Sequence, residues 1–146
     1  HSKWATVQGG RVTGFRTCMT GEFYGLLSRH SILARTLEAD AVLDDAVFLR
    51  GVERAGNGRG LLHNAFGVRA LALFGRLSPA ESASYLSGLL IGEEIHLQEL
   101  PQGREVIAIG ASTLTARYAL ALRHRGARVR TFGAEATWTG AKALLG

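Results

Sequence analysis

Residues 105–132 read EVIAIGASTLTARYALALRHRGARVRTF, and the order of residue types along them decides the fold class. Glu105 to Ile109 is apolar and β-branched, and Gly110-Ala111-Ser112 turns the chain. Thr113 to Arg125 then carries a helical pattern that Gly126 stops. Ala127 to Phe132 returns to strand, and Ala136 to Leu145 closes as a helix. A β-α-β-α order implies parallel strands joined by a right-handed crossover, which places the chain among α/β proteins.

Upstream, Ser78-Pro79-Ala80-Glu81 combines a capping hydroxyl, a proline at the first helical position and an acid three residues after the cap. The spacing predicts a long helix carrying SYLSGLLIGEE to about Leu100. Within it Gly88 and Gly92 lie four apart on one face, at a cost of roughly 1 kcal/mol each relative to alanine, so close packing is expected there. The opening HSKWATVQGGRVTGFRT predicts a hairpin, Lys3 to Val7 and Val12 to Thr17, turned at Gly9-Gly10. Thr20 is placed to cap a following helix whose Phe23, Leu26, Leu27 and His30 share a face, which makes His30 a core histidine. Two helical stretches, about Asp40 to Ala55 and Leu61 to Phe74, flank the breaker Gly56-Asn57-Gly58.

At 146 residues with 47% hydrophobic and 20% charged content, the chain suits one globular domain rather than a disordered tail. No apolar run nears the ~18 residues needed to span a bilayer. The lone Cys18 cannot close an internal disulfide or build a cysteine-rich zinc module, which points to the cytoplasm. The formal charge is +5, and 15 of the 17 basic residues are arginine, which favours fork-like recognition of carboxylate or phosphate. The 19 glycines, about twice the ordinary share, require sharp turns or close approaches at many places.

Three places can carry chemistry. Small residues at Gly110, Ala111 and Ser112 let a ligand reach the backbone where a helix N-terminus offers N–H groups, although an ordinary βα turn has the same composition. No Gly-Lys-Ser/Thr or G-x-G-x-x-G pattern marks that turn as a known phosphate loop. His1, Ser2 and Lys3 bring an ammonium and a hydroxyl to the head of the hairpin, where a frayed end is the plainer reading. At Thr20, Gly21 and Glu22 a hydroxyl, helix N–H groups and a carboxylate meet, although such an acid often only complements the helix dipole. The five histidines are too scattered for a metal site, and neither a catalytic base nor a metal ligand is assigned. Residues 123–130 form a basic run, which helix-terminal cations and solvent-facing strand positions explain better than nucleic acid, since no aromatic interleaves it.

HSKW, FRTCMTGEFYGLLSRHSIL, SYLSGLLIGEE and IAIGASTLTARYALAL, in that order, resemble the C-terminal half of the 2-dehydro-3-deoxygalactonokinases. The resemblance implies an actin-like, ribonuclease H-like ATPase lobe covering residues 1–146, a mixed sheet with flanking helices and a helical insertion at about 34–77. It implies ATP-dependent phosphorylation, with Mg²⁺, of the C6 hydroxyl of 2-dehydro-3-deoxy-D-galactonate. In that scheme Gly110, Ala111 and Ser112 hold adenosine, His1, Ser2 and Lys3 lie by the phosphates, and Thr20, Gly21 and Glu22 line the cleft. Thr139-Gly140-Ala141 resembles the Gly-Ala stretch that starts the last helix of related sugar kinases.

The family motif Gly-Thr-His-Ser-Lys-Trp is represented only by His1 to Trp4, so the segment is expected to be cut from a longer chain whose N-terminal lobe is its partner. That lobe would hold the first phosphate loop and the Mg²⁺-binding acid, which leaves the isolated segment inactive. Neither nucleic acid nor a membrane is an expected partner. The rival readings are a non-catalytic nucleotide-binding scaffold of the same fold and an arginine-rich nucleic-acid binder.

Overall fold

The computed structural model describes residues 1–38 and 41–145. The chain divides into two compact units, His1–Glu94 and Ile95–Gly146, with the boundary inside the last turn of a helix.

In the first unit, β1 (Ser2–Gln8) and β2 (Arg11–Cys18) form the expected antiparallel hairpin, with Gly9 and Gly10 both at positive φ in its turn. Helix α1 (Thr20–His30) follows at once, because the Ser2–Cys18 register pair brings its start beside the head of β1. Two expectations fail here. Met19, not Thr20, is the N-cap residue, and its side chain makes no cap bond, while the Thr20 hydroxyl donates to Glu94. His30 is exposed at the end of α1, where Phe23, Tyr24 and Leu27 supply the packed face instead.

A short 3-10 turn (Ile32–Thr36) leads towards α2 (Asp45–Ala55) and α3 (Leu61–Leu73). The expected helix start at Asp40 lies outside the described residues. Helix α2 begins at Asp45 because the Asp44 carboxylate accepts from the Val47 amide at 2.9 Å and caps it. Between α2 and α3 the buried Asn64 accepts from Arg54 Nε and exchanges hydrogen bonds with Asn57, which fixes the glycine-rich turn.

Helix α4 (Pro79–His96) starts at the expected box: Ser78 Oγ accepts from the Glu81 amide at 3.2 Å, and Glu81 Oε2 accepts from the Ser78 amide at 2.7 Å. It ends four residues before the expected Leu100. Glu99 turns to φ 51°, and Leu100 precedes a proline, which disfavours helix. Residues 82–92 of α4 are buried throughout. A Cβ on Gly88 would overlap the Phe48 carbonyl oxygen, and one on Gly92 would lie 2.7 Å from Val52 Cα. The helices α2 and α4 therefore cross backbone against backbone, and the two glycines are packing residues as expected. Phe48, Val52, Leu86 and Leu89 are fully buried beside this crossing, each side chain contributing about 1.5–3 kcal/mol of transfer energy.

In the second unit, β3 (Glu105–Ile109) and β4 (Arg128–Phe132) pair in parallel, and α5 (Ser112–His124) connects them. Helix α6 (Glu135–Leu145) closes the chain. Strand β4 begins at Arg128 rather than Ala127, and α5 one residue before Thr113. In place of the mixed sheet that the resemblance implies, the described strands make two two-stranded ladders, one antiparallel and one parallel. No described helix is long and apolar enough to cross a membrane.

Candidate functional site

The strand period of two puts Ser2 and Trp4 on one face of β1 and Lys3 on the other. Ser2 and Trp4 are half-buried and Lys3 is exposed. The Ser2 hydroxyl donates to Glu94 Oε1 at 2.7 Å, and the Trp4 indole N–H donates to the same oxygen at 2.5 Å. From α1, the Thr20 hydroxyl donates to Glu94 Oε2. Glu94 lies in the last turns of α4 and is only 4% exposed, so its carboxylate depends on these donors for the solvation it has lost. Beside them, in the open, His1 Nε2 and Glu22 Oε2 are 2.6 Å apart, a contact of small energetic weight at this exposure.

Two of the sequence-derived trios, His1-Ser2-Lys3 and Thr20-Gly21-Glu22, are thus brought together, and one buried carboxylate holds them. Gly21 is exposed, and a Cβ there would meet nothing within 4 Å. Cys18, the register partner of Ser2, has its thiol pushed above its ordinary range by burial and by the Glu94 carboxylate, against the opposing pull of Arg16.

Glu94 was not among the residues singled out in the sequence. The available signal was the acid pair Glu93-Glu94 closing SYLSGLLIGEE, a largely small and apolar stretch, since a carboxylate drawn into a core must find donors. What the sequence hides is where they come from: the partners lie 92, 90 and 74 residues away.

The third trio belongs to the second unit. Gly110 has φ 155°, donates its amide to the Phe132 carbonyl at 3.1 Å, and would bring a Cβ only to within 3.6 Å of Thr115 Cγ2. Ala111 and Ser112 are exposed, and Ala111 is the N-cap residue of α5 with no side-chain cap bond. Thr115 is buried, and its hydroxyl donates to the Ala111 and Ser112 carbonyls, which stiffens the turn from beneath. The partly exposed Ile109 and its register partner Phe132 add apolar surface beside open helix N–H groups. Those features suit a nucleoside, whose flat base needs apolar contact and whose polar edges need amides. Thr139 and Gly140 are exposed in α6, where the Thr139 hydroxyl donates to the Glu135 carbonyl.

A hollow of about 560 Å³ lies at the other end of α5, bordered by His96, Glu99, Gln102, His124 and Arg125, and contains none of these residues. The basic run is engaged within the chain. Arg123 donates to the Val129 carbonyl, Arg125 contacts His96 and Arg128 donates to the Gly103 carbonyl. Arg130 lies 3.7 Å from Glu105 and over the Phe132 ring. Among the described residues no three His, Cys, Asp or Glu side chains gather into a metal cage.

The family model described as 2-keto-3-deoxy-galactonokinase matches residues 1–144. A 2-dehydro-3-deoxygalactonokinase of Escherichia coli (strain K12) is 37% identical over 131 residues, which cover 88% of this chain and 44% of that protein. A Rhizobium meliloti (strain 1021) protein assigned the same name is 37% identical over 140 residues, covering 92% of this chain and 46% of its own length. A crystal structure assigned to the same enzyme from Sinorhizobium meliloti superposes with a TM-score of 0.83 at 34% identity, over 92% of this chain and 45% of that one. The chain therefore spans under half the length of the relatives it matches.

Proposed function

The chain belongs to the 2-keto-3-deoxy-galactonokinase family, and from that premise we propose that it forms one lobe of a sugar-acid kinase. Its fold class is α/β, and its relatives are named as 2-dehydro-3-deoxygalactonokinases. The finer reading is ours: residues 1–146 are the C-terminal lobe of an actin-like ATPase, with a helical insertion at about 34–77. The complete protein acts in the cytoplasm and transfers the γ-phosphoryl group of ATP to the C6 hydroxyl of 2-dehydro-3-deoxy-D-galactonate. Mg²⁺ is the customary companion of the nucleotide, and its ligands are assigned to the remainder of the polypeptide.

In this reading Gly110, Ala111 and Ser112 receive the adenosine, His1, Ser2 and Lys3 stand near the phosphates, and Thr20, Gly21 and Glu22 border the cleft. The observation that carries it is the convergence of the HSKW and TGE blocks on Glu94, since hydroxyls held by a buried carboxylate are positioned before a ligand arrives. Phosphoryl transfer rests on such positioning and on charge stabilisation from both sides of a cleft, so the lobe alone is expected to turn over nothing.

The deciding experiment uses the full-length protein. ADP release should depend on both ATP and the sugar acid, with one phosphate appearing on the C6 oxygen by NMR of the product. Release of ADP that ignores the sugar acid, or none at all, would favour the scaffold reading.

A further inference from the structure

The hydrogen-bond directions around Glu94 carry information beyond position. The Trp4 indole N–H is donor-only, so Oε1, which it shares with Ser2, must accept. Each of the Ser2 and Thr20 hydroxyls has a single proton, and both protons are spent on Glu94. What remains on the two oxygens is lone pairs, which can only accept. A phosphate oxygen is also an acceptor and would meet repulsion there, whereas a ligand hydroxyl would find a partner.

We propose that Glu94 is a positioning residue that sets the hydrogen-bond polarity of Ser2 and Thr20, so that this corner selects a hydroxyl group of the polyhydroxy acid and rejects phosphate. The inference rests on the kinase reading for the identity of its ligand, and it moves Ser2 from the phosphate side of that reading to the sugar side. Near the phosphates it is Lys3, on the opposite face of β1, that would attract negative charge, while Ser2 turns its oxygen to the sugar.

The test exploits an asymmetry. In Glu94→Gln, the amide carbonyl must take the Oε1 place, since the Trp4 N–H cannot accept. The amide NH₂ then faces Thr20 and donates to it. That forces the Thr20 proton outward and converts an acceptor into a donor with no change of shape. Binding of the sugar acid and of ATP to the full-length enzyme is measured separately by calorimetry, with thermal melting as the check on folding. Sugar-acid affinity should fall about tenfold, the size of one mispaired buried hydrogen bond, with ATP affinity held within twofold. Thr20→Val should produce the same selective loss, and Thr20→Ser should restore wild-type affinity, which keeps the test open if Glu94→Gln folds poorly.

Unchanged sugar-acid binding in folded Glu94→Gln and Thr20→Val, or a larger loss for ATP than for the sugar acid, would overturn the proposal. Wild-type protein that neither binds nor phosphorylates the sugar acid would overturn the kinase reading, and with it the ligand named here. Wild-type turnover beside insensitive variants would sink the polarity assignment alone.

Discussion

Replacing Gly92 with alanine should destabilise the protein, and replacing Gly67 with alanine should stabilise it, although both residues lie inside helices. Both substitutions gain the same intrinsic helix preference, about 1 kcal/mol. At Gly67 a Cβ would meet nothing within 4 Å, so that gain should appear nearly whole. At Gly92 the new atom would stand 2.7 Å from Val52 Cα, 2.9 Å from the Val52 carbonyl oxygen and 3.0 Å from Ala55 Cβ. Carbon atoms rest at about 3.5–4.0 Å, so α2 and α4 must part by about 1 Å. The first two of those neighbours are backbone, so no rotamer change can relieve the contact with them. A gap of that size forfeits roughly a quarter to a half of each dispersion contact across the seam. Overpacking costs about 1–3 kcal/mol, and with rigid neighbours the upper end applies, leaving a net loss of about 2 kcal/mol after the helix gain. The two variants should therefore melt several degrees apart in opposite directions from wild type, read by circular dichroism on the full-length protein. A Gly92→Ala protein as stable as wild type would refute the backbone crossing of α2 and α4.

Gly110→Val in the complete enzyme should raise the KM for ATP more than that for the sugar acid, because a branched side chain at φ 155° would stand where the nucleotide approaches; equal changes would count against the assignment. The Glu81 carboxyl is held below its ordinary range first by the Ser78 amide and then by the Ser78 hydroxyl. Its folded value being depressed, its contribution to stability is complete above the ordinary carboxylate range and is lost as pH falls through the lowered value. An NMR titration of Glu81 should show that low midpoint, with Ser78→Ala moving it only partway up because the amide remains. Cys18 should react with iodoacetamide at pH 8 more slowly than a model thiol, and faster in Glu94→Gln, where the carboxylate that helps raise its thiol is gone; peptide-resolved mass spectrometry would register a rate unaffected by the change as a failure.

Local signals were legible and non-local ones were not. The Gly9-Gly10 turn, the Ser78–Glu81 box and the strand-turn-helix at Ile109 each depend on a few neighbouring residues, and each forms where the sequence places it. The end of α4 was misplaced because Leu97 and Leu100 extend the apolar pattern, while the proline at position 101 and the turn at Glu99 act against it. His30 sits at the right spacing for a buried face, yet α1 ends there and the residue is exposed. Each ladder was legible by itself, but that the two stay separate was not, since helical and strand periods say nothing about pairing between strands far apart in the chain. The candidate site was half visible: its exposed trios stand in recognisable blocks, but the carboxylate that joins two of them acts through partners far off in the chain.

The glycine seam between α2 and α4 also has a mechanical meaning. Sliding α4 lengthwise by one residue would carry Ser87 or Leu89 towards the slot that admits only Gly88, so the two rods are keyed like a dovetail and cannot be moved axially past each other. Glu94 stands six residues beyond Gly88, about 9 Å along the same shaft. Its carboxylate is thereby indexed to α2, so the hairpin and the head of α1 are registered to a fixed datum rather than to a floating one.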